Sequence, residues 1–301
     1  MDLDGDGHVD ILSGSYSRMD KDMAGLFQVL YGKADGAFRK AEVLKGTDGQ
    51  PLIIPAKGEE EMTKKICTRQ FIVDWNGDGK LDLVTGNFMG TFFWFKGDGK
   101  GKFDPKPEPI NQGGKPLHVP GHHSDPFVID WDGDGDLDLL SGSTDAGVYV
   151  AENTAGAGKT PELKGFKALI NPPGKEWSEQ KVRREDDVKR PNYATRVWAD
   201  DVNGDGKLDL FIGDSTTLSF PKDGLSEADV QKKHAEWQKK QEAASAKYME
   251  VRNKFKDQNK PTEEEMKLLQ PAMEEMSKLR TERTKFITEE MTGFVWLYVQ
   301  K

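Results

Sequence analysis

Apolar residues along this chain come in short runs punctuated by glycine, and the same run recurs four times. Residues 9–14, 81–86, 137–142 and 208–213 each read as a brief apolar segment ending in glycine. Such segments predict buried strands rather than helices, being too short and too uniformly apolar for a helical stripe. Three of them are preceded by another apolar run, at residues 71–73, 127–129 and 197–199. A further strand opens on Gly25, Gly90, Gly147 and Gly293, and a weaker one is expected near residues 38–43, 103–110 and 166–170. Each repeat therefore predicts three or four strands in chain order.

Between the paired runs lies an acidic loop. The four loops place Asp2, Asp4, Asp6, His8 and Asp10; Asp74, Asn76, Asp78, Lys80 and Asp82; Asp130, Asp132, Asp134, Asp136 and Asp138; and Asp201, Asn203, Asp205, Lys207 and Asp209 at loop positions 1, 3, 5, 7 and 9. Oxygen side chains at 1, 3, 5 and 9 are how a short loop wraps a hard cation such as Ca²⁺. Glycine at position 6 permits the positive-φ bend that lets the carboxylates converge. Position 7 varies, as expected where only the backbone carbonyl is offered. A solvated acidic turn would not repeat this spacing four times. Position 12 is Ser13, Thr85, Ser141 or Ile212, so the bidentate glutamate of an EF-hand is missing and no helix follows.

This strand–loop–strand pattern, followed by glycine and an aromatic strand, resembles the FG-GAP/VCBS repeat of integrin-α-like propellers. The resemblance covers nearly the whole chain apart from residues 216–291. It implies an all-β fold, a β-propeller of four recognisable blades, with up to four Ca²⁺ ions between strands 1 and 2 on the lower face. It implies no single function, because such propellers serve as adhesion domains, lectins and enzyme scaffolds. Met1 falls where Val73, Ile129 and Asp200 sit, which predicts further sequence upstream, with more blades. A compact four-bladed ring with one incomplete seam is the alternative.

Residues 216–291 break the pattern and divide the chain into 1–215, the insertion, and 292–301. Ser226 with Asp229 predicts a helix start, followed by apolar Val230, Trp237, Ala244, Tyr248, Val251 and Phe255. After the turn 259–261, Thr262 and Glu265 form a second capping box, followed by Met266, Leu269, Met273, Met276, Leu279 and Ile287. Pro271 is expected to kink or interrupt this helix. The two stripes predict an antiparallel αα-hairpin coiled coil roughly 45 Å long, either decorative or a partner-docking arm.

Charge fits a cation-binding protein. The net charge is −9, and the loops hold fifteen aspartates, so four divalent cations would bring the chain close to neutrality. The acidity belongs to the loops and speaks against nucleic acid as a partner. No apolar stretch is long enough for a membrane span, no signal peptide is visible, and Cys67 stands alone. Loops of this kind in extracellular modules bind at about 10⁻⁴–10⁻³ M, which predicts an extracellular or periplasmic setting.

A ligand site is expected at the other ends of the strands. Aligned on the first loop aspartate, the strand starts read Thr68-Arg69, Ser124-Asp125 and Thr195-Arg196, a ring of three charges at the upper mouth. His122 and His123 precede Asp125, and His118 lies nearby. Tyr16, Asn87, Asp214, Trp177, Arg183 and Arg184 come from neighbouring loops. The arginines could simply pair with Asp125 and Asp214, or the ring could bind an anionic glycan or protein. A metal site at His122, His123 and Asp125 is weakened because adjacent residues on a strand point oppositely. His8 and His234 are expected to be solvated. No nucleophile elbow, zincin helix, phosphate loop or dinucleotide fingerprint is present. The leading expectation is a secreted interaction or adhesion module, more a binding protein than an enzyme. A carbohydrate-active enzyme, or the non-catalytic propeller of one, is the alternative.

Overall fold

The computed structural model describes residues 1–16, 24–56, 62–174, 183–255 and 262–301. Trp177 and the turn at 259–261 lie outside the described residues. The chain divides into two compact units, one of Met1–Ser178, Arg190–Thr216 and Gly293–Lys301, the other of Glu179–Lys189 and Thr217–Thr292.

Among the described residues the first unit holds four antiparallel sheets of three or four strands in chain order, and a small hairpin of Asn111–Gln112 with Lys115–Pro116. The first sheet is Ile11–Ser13, Gln28–Leu30 and Glu42–Val43. The second is Arg69–Val73, Asp82–Gly86, Phe92–Phe95 and Glu108–Pro109. The third is Asp125–Ile129, Asp138–Gly142, Val148–Ala151 and Lys167–Ile170. The fourth is Arg196–Asp200, Asp209–Gly213 and Val295–Tyr298. Register repeats with them: Arg69 faces Gly86, Asp125 faces Gly142 and Arg196 faces Gly213, while Val73, Ile129 and Asp200 face Asp82, Asp138 and Asp209.

The uniform apolar character of the second strands has a simple cause. Side chains on a strand alternate between its faces, and in Asp82–Gly86 and Asp138–Gly142 both faces are covered, whereas Ile11 of the first sheet is exposed. Leu83 belongs to the core with Phe27, Phe95 and Leu52, whereas Val84 belongs to the next core with Trp94 and Leu139. Leu140 in turn joins Val150, Val197 and Ile212. First strands of neighbouring sheets also meet: Phe71 contacts Phe127 edge-on, and Phe127 contacts Trp198, both at 5.0 Å between ring centroids. These three aromatics hold the same register position in successive sheets.

At Gly14, Gly86 and Gly142 the glycine that ends the strand after the acidic loop is required because the next sheet touches it there, whereas Gly213 meets nothing. A Cβ on Gly14, Gly86 or Gly142 would stand 2.0–2.1 Å from the carbonyl oxygen of Thr68, Ser124 or Thr195. The following residue completes the joint. The amides of Ser15, Asn87 and Ser143 donate to the hydroxyls of Thr68, Ser124 and Thr195 at 2.9, 2.9 and 2.8 Å. In return the amides of Thr68, Ser124 and Thr195 donate to the carbonyls of Ser15, Asn87 and Ser143. All three hydroxyl residues are buried, so these reciprocal bonds satisfy groups that water cannot reach.

In the second unit, helices Glu227–Arg252 and Glu263–Arg283 begin at Ser226 and Thr262, each with a complete capping box. They run antiparallel, as the pairs Lys240–Glu282 and Lys247–Glu275 require. Val230, Trp237, Ala244 and Leu279 are buried between them, whereas Met266 and Met273 are exposed. Three expectations need correction. Pro271 does not interrupt the second helix, which continues to Arg283. Ile287 is not helical: it opens the strand Ile287–Thr292, which forms a ribbon with Thr216–Pro221. His234 is not solvated but buried at 5% exposure, its ring against Trp237 at 5.5 Å. It lies four residues after Val230 and three before Trp237, on the buried face.

Candidate metal loops and a charged cluster at the opposite strand ends

All four acidic loops share one hydrogen-bond net. The carboxylate at position 1 (Asp2, Asp74, Asp130, Asp201) accepts the amides of positions 5 and 6. Position 3 (Asp4, Asn76, Asp132, Asn203) also accepts from position 5. Position 5 (Asp6, Asp78, Asp134, Asp205) accepts the amide of position 7 at 3.0 Å in every loop. The residue at position 7 thus joins this net through its backbone amide in every loop, an arrangement compatible with His8, Lys80, Asp136 and Lys207 all standing there. Glycines at positions 4 and 6 all have φ between 73° and 91°, conformations nearly closed to other residues. The requirement at position 4 was as visible in the sequence as that at position 6.

Position 9 does something the spacing alone did not reveal. Asp10, Asp82, Asp138 and Asp209 are buried, each at 4% exposure or less. One carboxylate oxygen of each accepts the amide of loop position 2: Leu3, Trp75, Trp131 or Val202. The other accepts an amide just beyond the strand that pairs with the one leaving the loop: Gly32, Gly97, Asn153 or Gln300 at 2.7–2.9 Å. This aspartate staples the loop to its own sheet.

Side-chain oxygens converge in these loops. Ligand atoms of Asp2, Asp4 and Asp10 lie within 4.8 Å of one another, and so do those of Asp130, Asp132 and Asp138. In the second and fourth loops Asn76 and Asn203 stand at position 3, offering an amide oxygen instead. Burial, with neighbouring acids adding to it, pushes the Asp138 and Asp82 carboxyls above the ordinary aspartate range despite their backbone donors. Burial likewise raises Asp136, whose Oδ2 accepts from Gly156 while Oδ1 is enclosed with no hydrogen-bond partner. An all-oxygen set with repelling buried carboxylates fits a hard divalent cation and does not fit a soft one.

The second candidate lies at the other end of the first strands. A five-residue strand separates Arg69 from the Asp74 loop, roughly 17 Å at 3.3–3.4 Å per residue. Here Arg69, Asp125 and Arg196 come together from three successive sheets. Arg69 Nε is 3.5 Å and Arg196 Nη1 is 3.2 Å from the same atom, Asp125 Oδ1. Arg69 also donates to the His123 carbonyl at 3.2 Å. The Arg69 side chain is 12% exposed and that of Arg196 56%, so one arginine is structural in position and the other reaches solvent. Desolvation lowers the Arg69 pKa, with Asp125 working against it. The three line a cavity of about 280 Å³ with Ser15, Tyr16 and Thr68.

Other expected site residues go elsewhere. Asp214 belongs to the fourth sheet's own turn, accepting from the amides of Asn192 and Phe294 and the hydroxyl of Thr216. His122 and His123 are not on a strand: His123 has φ of 58°, and both rings lie against Phe88. Their side chains do not line the cavity. Arg184 pairs with Glu227 in the second unit.

Three sheets join their first two strands through an acidic loop with two left-handed glycines, and the same loop precedes Ile11–Ser13, which defines a repeat protein. Residues 74–141 match the family described as FG-GAP-like repeat; that segment, from the second loop through most of the strand Asp138–Gly142, is an FG-GAP-like repeat. No curated protein matches the chain. Among the described residues, no helix is long and apolar enough to cross a membrane.

Proposed function

We propose that this chain is a calcium-stabilised β-propeller segment of the extracellular space or periplasm, acting as an interaction module. Its ligand is a carboxylate-bearing group of a surface glycan or protein, held by Arg196 and Arg69. The observation that carries this reading is the shared carboxylate oxygen. Two guanidiniums converge on Asp125 Oδ1, which leaves the cluster one positive charge in excess beside an open cavity. Arg196 keeps donor capacity toward solvent, and a guanidinium fork binds a carboxylate by paired, charge-assisted bonds. The cavity is just under the usual size for an enclosed small molecule, which suits a terminal group of a larger ligand. Its lining supplies one carboxylate, already engaged, which favours binding over two-carboxylate hydrolysis.

Calcium is assigned to the loops by their chemistry. Positions 1, 3, 5 and 9 supply hard oxygens, and the ion, when bound, supplies the positive charge that offsets their mutual repulsion. The chain itself does the positioning: left-handed glycines bend the loop, and the position-9 aspartate anchors it to the sheet.

An array of acidic and neutral glycans tests the reading, with wild type and Arg196→Ala compared and melting curves run in parallel. Binding to uronate- or sialate-bearing members, lost in the variant with an unchanged melting curve, is the expected result. Binding that survives Arg196→Ala removes the cluster from recognition. Arg69→Ala is a poorer probe, because it leaves Asp125 with one partner fewer in a mostly buried place.

A further inference from the structure

The second unit contains a cavity of about 810 Å³ lined by both helices, Lys222 and the start of the strand Ile287–Thr292. Its size is within the range of small-molecule pockets. Trp237, Met276 and Ile287 supply apolar wall, and Lys222, Arg280 and Arg283 supply three cations against the single carboxylate of Glu289.

Arg283 is the unusual member. Its side chain is 14% exposed, and the guanidinium lies 5.1 Å from the ring centroid of Trp237. Glu289 engages Nη1, but Nε is enclosed without an acceptor. Desolvation lowers its pKa, the mark of a guanidinium removed from water without full compensation. A buried donor with no acceptor is a standing cost, and it leaves the guanidinium short of compensation beside the cavity that Arg283 lines. Trp237 is fixed by its own bond from Nε1 to the Leu279 carbonyl at 2.7 Å, so the aromatic wall is rigid. Lys222, bonded through Nζ to the Thr284 carbonyl at 3.0 Å, adds positive charge at the rim.

From this arrangement we infer that the inserted unit is a binding domain for an amphipathic organic carboxylate. The carboxylate is taken by Arg283 with Arg280 and Lys222, and the apolar body lies along Trp237, Met276 and Ile287. The site is independent of the Arg69–Asp125–Arg196 cluster.

Calorimetric titration of the full chain with octanoate, 1-octanol and inorganic phosphate tests this on wild type, Arg283→Gln and Met276→Trp. Octanoate is expected to saturate one site in wild type, with 1-octanol and phosphate each weaker by about tenfold or more, the worth of a charge-assisted bond or a buried apolar chain. Both substitutions are expected to weaken octanoate about tenfold; filling the cavity with Trp keeps the test open if Arg283→Gln does not fold. Absence of saturable octanoate binding by folded wild type overturns the inference. So does octanoate binding unchanged by Met276→Trp, or phosphate binding as tightly as octanoate.

Discussion

The hydroxyl of Thr195 donates to the carbonyl of Gly147 at 2.6 Å across the joint between the third and fourth sheets. The same oxygen accepts the Ser143 amide at 2.8 Å, so one buried hydroxyl joins the ends of two strands in the neighbouring sheet. Ser124 has the same role in the preceding joint, accepting from Asn87 and donating to the Thr91 carbonyl at 2.7 Å.

Thr195→Val keeps the shape and removes both bonds. It should cost about 1–3 kcal/mol, the penalty for leaving buried backbone groups unpaired. Thr195→Ser should recover most of that loss, as Ser124 does naturally. Chemical denaturation of the three proteins decides it; equal stability of the Val and Ser variants would mean the hydroxyl is idle.

Glycines at equivalent positions should differ sharply in tolerance. Gly142→Ala places a methyl 2.0 Å from the Thr195 carbonyl oxygen, whereas Gly213 has nothing within 4 Å of where its Cβ would be. Loss of stability on the order of 3 kcal/mol is expected for the first and little change for the second. Melting temperatures of the two variants give the comparison directly.

Chelation separates the two roles of the loop aspartates. If calcium occupies the loops at tenfold excess over its Kd, each site adds about 1.4 kcal/mol, and EDTA should lower the melting temperature accordingly. Asp132→Ala should mimic some of that loss and add little once EDTA is present. Asp138→Ala should destabilise further even in EDTA, because the amides of Trp131 and Asn153 lose their acceptor. A melting curve indifferent to EDTA would sink the calcium assignment and leave the staple role standing.

Acid should weaken the helical unit through His234. Burial, with Arg283 nearby, holds this imidazole below its ordinary pKa, and Nε2 has no hydrogen-bond partner. The unfolded chain therefore binds a proton near pH 6.5 that the folded chain refuses. Stability from the neutral ring is full above that pH and declines as pH falls toward the lower folded value. Helical circular dichroism followed during melting at a series of pH values should show this slope, and His234→Leu should flatten it. An unchanged slope in the variant assigns the acid sensitivity elsewhere.

Whatever depends on neighbours along the chain was legible before any packing is considered. Loop spacing, the two glycines per loop, the second strands and both capping boxes are set within about a dozen residues, where local sterics and hydrogen bonds suffice. The identity of Thr68, Ser124 and Thr195 as hydroxyl residues in one register was also on view, and it was the signal for the joints. Which of the strand-end charges meet is a matter of how the sheets abut. Arg69, Asp125 and Arg196 are more than fifty residues apart in sequence, and only the contact of three sheets brings two guanidiniums onto one oxygen while Asp214 is absorbed by its own turn. Packing likewise settles the burial of His234, the strand at Ile287 and the placing of Arg283 over Trp237. Those depend on which faces of two helices and a ribbon are closed off from water, a property of the packed unit that no stretch of sequence contains.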